Sequence, residues 1–121
     1  MQNVQIFGVK GSSATRAAER FFKERRIPLQ VVDLNNKPMA PGDIKRFIEK
    51  FTMPALLDTD GKPYIDAGLK YLKLSEAALL LKVENEPKLL RLPLVRCAGK
   101  LAVGQDETAW KEMASIVSLK R

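Results

Sequence analysis

The chain has 121 residues, of which 45% are hydrophobic and 29% charged, and these values are typical of one globular domain. It contains no histidine and one cysteine, which excludes an intramolecular disulfide, a Cys–His pair and a serine–histidine–aspartate triad within the chain. Its net charge of +7, from 21 Lys and Arg against 14 Asp and Glu, favours anionic partners. No apolar run could span a bilayer and the first residues lack the features of a signal peptide, so we expect a cytoplasmic protein.

The first part of the chain predicts a β-α-β unit. The apolar run "VQIF" predicts a strand, and the amphipathic stretch that follows predicts a helix that Ser12 or Ser13 caps. This helix should end near Arg26, because Pro28 cannot continue it. "LQVVDL" predicts a second strand, parallel to the first. The basic patch at the helix end, Lys23, Arg25 and Arg26, is consistent with an anionic partner or with a solvated helix end.

The middle of the chain predicts mainly helices and loops. A helix should run from Pro41 or Gly42 to Phe51, after the loop "NNKPMAPGD". The stretch "MPALLDTDGKPYIDAGL" is expected to be irregular, with a turn at "DTDG". Another helix should follow Ser75 and end near Asn85, and "PKLL" predicts a short helical segment.

The last part of the chain predicts a β-hairpin followed by a helix. "LPLVRC" and "KLAVG" read as two strands with Gly99 in the turn, and Asp106 should cap the final helix. The predicted inner face of that helix consists of Trp110, Met113, Ile116 and Val117. The element order predicts an α/β fold of the thioredoxin type in a single domain covering residues 1–121. Its mixed four-stranded sheet (βαβ then ββα) would carry helices on both faces and a helical insert.

Four motifs in this order resemble the thioredoxin-fold family of arsenate reductases and Spx transcriptional regulators. The first strand and loop, "IFGVKGSSATRAA", are similar to that family's "IYxxPxCSxCRKA". "DTDGKPYIDAGL", "ENEPKLLRLPLV" and "AGKLAVGQDETAW" resemble three later motifs of the family. The resemblance covers nearly the whole chain, and the motifs together are specific although each one is weak.

The resemblance implies that this chain departs from the family at its reactive positions. The family's nucleophilic cysteine falls on Ser12, its second cysteine or serine falls on Thr15, and an earlier proline falls on Lys10. The arginine before the family's later, usually cis, proline falls on Leu92, while Arg91 stands one position earlier and Pro93 keeps the proline. The loop length is unchanged.

These departures predict a loop that binds an anion without reacting. A thiol at a helix N-terminus is readily ionised, whereas a serine hydroxyl attacks only with the help of a general base. The expected anion-binding residues are Gly11, Ser12, Ser13, Thr15 and Arg16, with Arg91 and Pro93 in a supporting loop and with no metal ligands. The main-chain N–H groups at the start of the helix would hold an oxyanion or an anionic side chain.

Three hypotheses about function follow. The first is a non-catalytic module that binds an anion or a protein, acting as a monomer without a cofactor. For this hypothesis, the likeness to Spx implies the C-terminal domain of the RNA polymerase α chain as a protein partner. The second is an oxidoreductase with an atypical site, for which the resemblance implies glutathione. Its reactive group would be Ser12, with Lys10 as base, or Cys97, although Cys97 fits better as a small apolar strand residue. In the third, Ser12 and Ser13 only cap the helix.

Overall fold

A computed structural model describes residues 4–37, 39–97 and 99–119, which fall into two compact units. The first unit lies within Met1–Lys37 and Leu92–Arg121, and the second lies within Pro38–Arg91. The sheet belongs to the first unit, and the predicted helical insert forms the second. That the two units act as one domain stays a prediction.

The sheet has four strands in the order β2-β1-β3-β4. In chain order the strands are β1 (Val4–Gly8), β2 (Leu29–Asp33), β3 (Leu94–Cys97) and β4 (Lys100–Val103). β1 pairs with β2 in parallel and with β3 in antiparallel fashion, and β3 forms an antiparallel hairpin with β4. Gly99 stands in the hairpin turn with φ of +83°, a value that suits glycine. The mixed thioredoxin-like sheet predicted from the sequence is therefore confirmed.

Six α-helices form within the described residues. They are α1 (Ser13–Glu24), α2 (Pro41–Phe51), α3 (Met53–Leu56), α4 (Lys62–Asp66), α5 (Glu76–Asn85) and α6 (Glu107–Leu119), with 3₁₀ turns at Leu69–Tyr71 and Pro87–Leu89. The predicted caps are confirmed at Ser12, Ser75 and Asp106, whose side-chain oxygens accept from main-chain N–H groups at 3.1 to 3.2 Å. Two predictions were wrong in detail. α1 ends at Glu24 rather than Arg26, and the stretch expected to be irregular contains α3 and α4.

Both differences have local causes. Arg26 adopts φ of +57°, and the N–H of Ile27 donates to the Phe22 carbonyl at 3.1 Å, which closes α1 with a left-handed residue. α3 and α4 each carry a proline in the first turn, Pro54 and Pro63, where its fixed φ favours helix and its missing N–H costs nothing. The turn predicted at "DTDG" does form just before α4.

The core of the first unit lies between the sheet and the helices α1 and α6. Phe22 and Trp110 are fully buried, and the Phe21 ring lies 5.1 Å from the Phe22 ring and 5.6 Å from the indole. On α6, Met113 and Val117 are buried as predicted; Ile116 is only half-buried, and Ala114 takes its place in the core cluster. These large side chains pack the second half of α1 against the sheet and α6.

The second unit offers a matched pair of leucines for a test of its packing. Leu56 on α3 is fully buried, and Leu81 on α5 is 62% exposed. We expect Leu56→Ala to lower the free energy of unfolding by about 2–5 kcal/mol, because it leaves a cavity. Leu81→Ala should change it by no more than about 0.5 kcal/mol. Chemical denaturation of both variants measures the difference, and equal effects would contradict this packing.

Candidate functional site

The loop that joins β1 to α1 is held by three hydrogen bonds around Ser12. The Ser12 N–H donates to the Val9 carbonyl at 3.0 Å, and the Arg16 N–H donates to the Ser12 carbonyl at 3.1 Å. The Ser12 hydroxyl oxygen accepts from the Thr15 N–H at 3.2 Å. Ser12 is therefore the N-cap of α1, and Ser13 is the first residue of the helix. No described residue accepts a hydrogen bond from the Ser12 hydroxyl.

Three main-chain N–H groups of the loop remain available to a ligand. The N–H groups of Gly11, Ser13 and Ala14 donate to no other residue within the described ranges. Gly11 and Ser13 are exposed and Ala14 is half-buried, so water or a small anion can approach them. Unpaired N–H groups at the start of a helix carry partial positive charge and attract anions.

The charges at the start of α1 differ from those at the start of the other long helices. The first turn of α1 contains no acidic residue and ends with the exposed Arg16. α2, α5 and α6 each carry an acidic residue in the first turn, namely Asp43, Glu76 and Glu107. Among these four longer helices, α1 alone has a cation and no acidic residue in its first turn.

Thr15 lies beneath the loop and contacts the end of β1. Its side chain is 1% exposed, and its hydroxyl has no hydrogen-bond partner among the described residues. The Thr15 Oγ1 and Cγ2 atoms fill the space that a Cβ on Gly8 would need. The sequence assigned Thr15 to the anion-binding set, and the structure places it below the exposed part of the loop. Sequence reasoning missed Gly8, although a glycine that ends a strand before a functional loop is a recognisable signal.

Of the two supporting residues, Pro93 lies in the unit that contains the loop. The Leu92–Pro93 bond is cis, and Pro93 is fully buried. Phe7 pairs with Leu94, so the register puts Pro93 opposite Gly8, at the end of the sheet where the loop begins. Arg91 belongs to the second unit, where its guanidinium donates to the Leu57 carbonyl at 3.3 Å.

Cys97 lies at the opposite end of β3 from Pro93. It is 1% exposed, forms no disulfide and pairs with Lys100 beside the hairpin turn. Four residues of extended chain separate it from Pro93, a distance of about 13 Å. The prediction that Cys97 packs as a small apolar strand residue agrees with this burial.

Neither a metal centre nor a membrane span is found in the described ranges. No group of three or more Cys, Asp or Glu residues within them is arranged to hold a metal ion. None of the described helices combines the length and the apolar character that crossing a bilayer requires.

Comparison with known proteins assigns the chain to a family. The model of the ArsC family matches residues 7–113. The chain belongs to the ArsC family. Arsenate reductases of Neisseria meningitidis, from serogroup A and serogroup B strains, are 30% identical over 108 residues, which cover 87% of this chain and 92% of theirs. The match includes the loop, both β-strands of the hairpin and Trp110.

Solved structures share the fold at lower identity. An arsenate reductase from Vibrio cholerae superposes with a TM-score of 0.78 at 22% identity, covering 93% of this chain and 98% of its own. An arsenate reductase (ArsC) related protein from Brucella melitensis gives a TM-score of 0.64 at 18% identity, covering 91% and 92%. These similarities confirm the thioredoxin-like ArsC architecture.

The contact between Gly8 and Thr15 predicts a coupled pair of substitutions in this ArsC-family chain. Gly8→Ala should lower the free energy of unfolding by about 1–3 kcal/mol, because the new methyl group overlaps the threonine side chain. Thr15→Ala should restore part of that loss in the double variant. Gly11→Ala is the control, because a Cβ there meets nothing within 4 Å. Additive effects in a denaturation-based double-mutant cycle would contradict the contact.

The burial of Cys97 predicts a protected thiol. In the folded protein it should react with an aromatic disulfide reagent at least roughly a hundredfold more slowly than in denaturant, because a buried thiol reacts only when the chain opens. Absorbance of the released thiolate measures both rates. Equal rates would show that Cys97 is accessible and would reopen a role for it in thiol chemistry.

Proposed function

We propose that this ArsC-family chain is a non-catalytic binding module whose loop Gly11–Arg16 holds an anion or an anionic side chain of a protein partner. The observation that carries the proposal is the state of Ser12. By resemblance Ser12 takes the place of the family's nucleophilic cysteine, and its hydroxyl oxygen is engaged as the cap of α1. The N–H groups beside it stay unpaired and accessible.

The chemistry of the surrounding residues supports binding over reaction. A serine nucleophile needs a general base, and the chain has no histidine to act as one. Lys10 is exposed in the turn before Ser12, and neither side chain is hydrogen-bonded to the other. The single thiol is buried at the far end of β3. The anion-binding features of the loop require none of these groups, since N–H groups and Arg16 supply the attraction.

The occupant can be a free oxyanion or a carboxylate on another protein. Both present oxygen atoms that accept hydrogen bonds from N–H groups at a helix N-terminus. The likeness to Spx regulators makes the C-terminal domain of the RNA polymerase α chain a specific protein to test. We propose that the chain acts as a monomer and needs no cofactor in this role.

The loop predicts a localised response to phosphate, sulfate or arsenate. At millimolar anion, the amide resonances of Gly11 to Arg16 should shift. Ser12→Ala should weaken this response, because α1 loses its N-cap and its first turn becomes less ordered. The start of α5 is an internal control: Ser75 caps it with the same 3.2 Å bond, but Glu76 follows. Equal shifts at both helices would indicate unspecific binding, and no shifts in the loop would leave Ser12 as a helix cap only.

A second candidate is an oxidoreductase with an atypical site. It is favoured by the 30% identity to curated arsenate reductases over 87% of the chain. Reduction of arsenate to arsenite takes two electrons, which two thiols supply when they join in a disulfide. The chain has one cysteine, so at least one of the two thiols must come from an external donor such as glutathione. Turnover of arsenate with glutathione and glutaredoxin, abolished by Cys97→Ala or Ser12→Ala, would establish this candidate and overturn the non-catalytic proposal. Absence of turnover alongside anion-dependent shifts supports the binding module.

A further inference from the structure

A row of cations runs along the solvent-facing side of α1, starting from the loop. Arg16, Arg20 and Lys23 stand four and three residues apart, so they share one face of the helix, and all three are exposed. We call these three residues the basic row. The buried face of the same helix consists of Thr15, Ala18, Phe21 and Phe22. The basic row therefore points away from the core along its full length.

The three cations of the basic row outnumber the two glutamates beside it on α1, Glu19 and Glu24. Lys23 lies 3.7 Å from the carboxylate of the half-buried Glu19, and the exposure of the lysine makes this a weak ion pair in water. Arg16 and Arg20 form no ion pair with any residue in the described part of the chain. The segments 1–37 and 92–121, which make up the first unit, hold twelve of the 21 basic residues and six of the 14 acidic ones. The basic row thus lies on the unit that carries most of the net charge.

We infer that the basic row extends the loop into a docking surface for an acidic segment of a partner protein. The spacing fits: four helical residues separate Arg16 from Arg20 by about 6 Å along the axis. Side chains on one side of an extended segment repeat every ~6.7 Å, so alternate Asp or Glu residues come close to the Arg16–Arg20 spacing, while Lys23 lies about 4.5 Å further along the axis. Arginine binds carboxylates through two parallel hydrogen bonds, which favours this ligand further. The inference rests on the proposed function, because the loop anchors one end of the segment.

A protein ligand fits the basic row better than a nucleic acid does. Single strands bind through stacking on exposed aromatic side chains, and the four aromatic residues of the first unit, Phe7, Phe21, Phe22 and Trp110, are buried. Glu19 and Glu24 lie on the two sides of the basic row, so the positive charge on this face of α1 is confined to one line of side chains. One line of cations suits one row of carboxylates, whereas a duplex presents two phosphate backbones.

A fluorescein-labelled peptide of alternating glutamate and serine tests the inference against the full chain. Its binding, followed by anisotropy, should weaken roughly fivefold to tenfold in Arg20→Glu, because the variant replaces an attraction by a repulsion. Lys111→Glu is the matched control: it makes the same change of charge at an exposed site on α6 and should leave binding unchanged. Peptide-induced amide shifts should follow α1 from Arg16 to Lys23.

Other outcomes overturn the inference in distinct ways. Equal weakening in both variants would mean that net charge alone attracts the peptide. Tighter binding of single-stranded oligothymidylate, with the same dependence on Arg20, would assign the row to nucleic acid. If phosphate shifts the loop amides but the peptide does not bind, the acidic-segment inference fails and the proposed anion site stands. If phosphate shifts none of the loop amide resonances while peptide binding depends on Arg20, the proposed anion site is wrong instead.

Discussion

The first turn of α1 rests directly on the end of β1, where Thr15 fills the space beside Gly8. This contact decides how the rest of the site is built. Because Gly8 has no side chain, the helix can begin close to the strand, and the loop between them must be short. The N-terminus of α1 consequently lies at the carboxyl end of the parallel strands, the side where open α/β sheets generally place their ligands.

The two serine caps show how one local interaction can serve different surfaces. The hydroxyl oxygens of Ser12 and Ser75 each accept a hydrogen bond, at 3.2 Å, from the main-chain N–H three residues later. Substitution of either serine by alanine would lower the free energy of unfolding by a similar amount, about 1 kcal/mol. After Ser75 comes Glu76, which neutralises the start of α5. After Ser12 comes no acid but Arg16, on the side that continues into the basic row. The cap supplies stability in both places, and the neighbouring charges decide what each end attracts.

Local patterns in the sequence were sufficient for most of the fold. Caps, prolines and alternating or helical apolar spacing placed the four strands and the longer helices, because each of these signals acts over a few residues. The short helices α3 and α4 escaped prediction because four or five residues are too few to show periodicity. The early end of α1 depends on a left-handed Arg26, which residue type alone does not predict.

The composition of the candidate site is easier to predict from the sequence than its arrangement. The loop, its cap and the buried proline could be anticipated from the motifs and from helix-start signals. The hydrogen-bond pattern within the loop could not be anticipated, because it depends on which N–H group meets which acceptor. The Thr15 N–H donates to the Ser12 hydroxyl, whereas the Ser13 N–H has no acceptor among the described residues. The burial of Thr15 follows from a contact with Gly8 on another element, and a sequence does not display such contacts.

The order of the strands also bears on how the chain is made. β1 lies between β2 and β3, and Ile6 pairs with Val95, near the opposite end of the sequence. On the ribosome, the βαβ unit and the whole helical insert emerge before β3 is available. Until then β1 has one free edge, and strands with unpaired edges are the usual starting points of association between chains. The insert is synthesised completely within this interval, and the hairpin of β3 and β4 completes the sheet last.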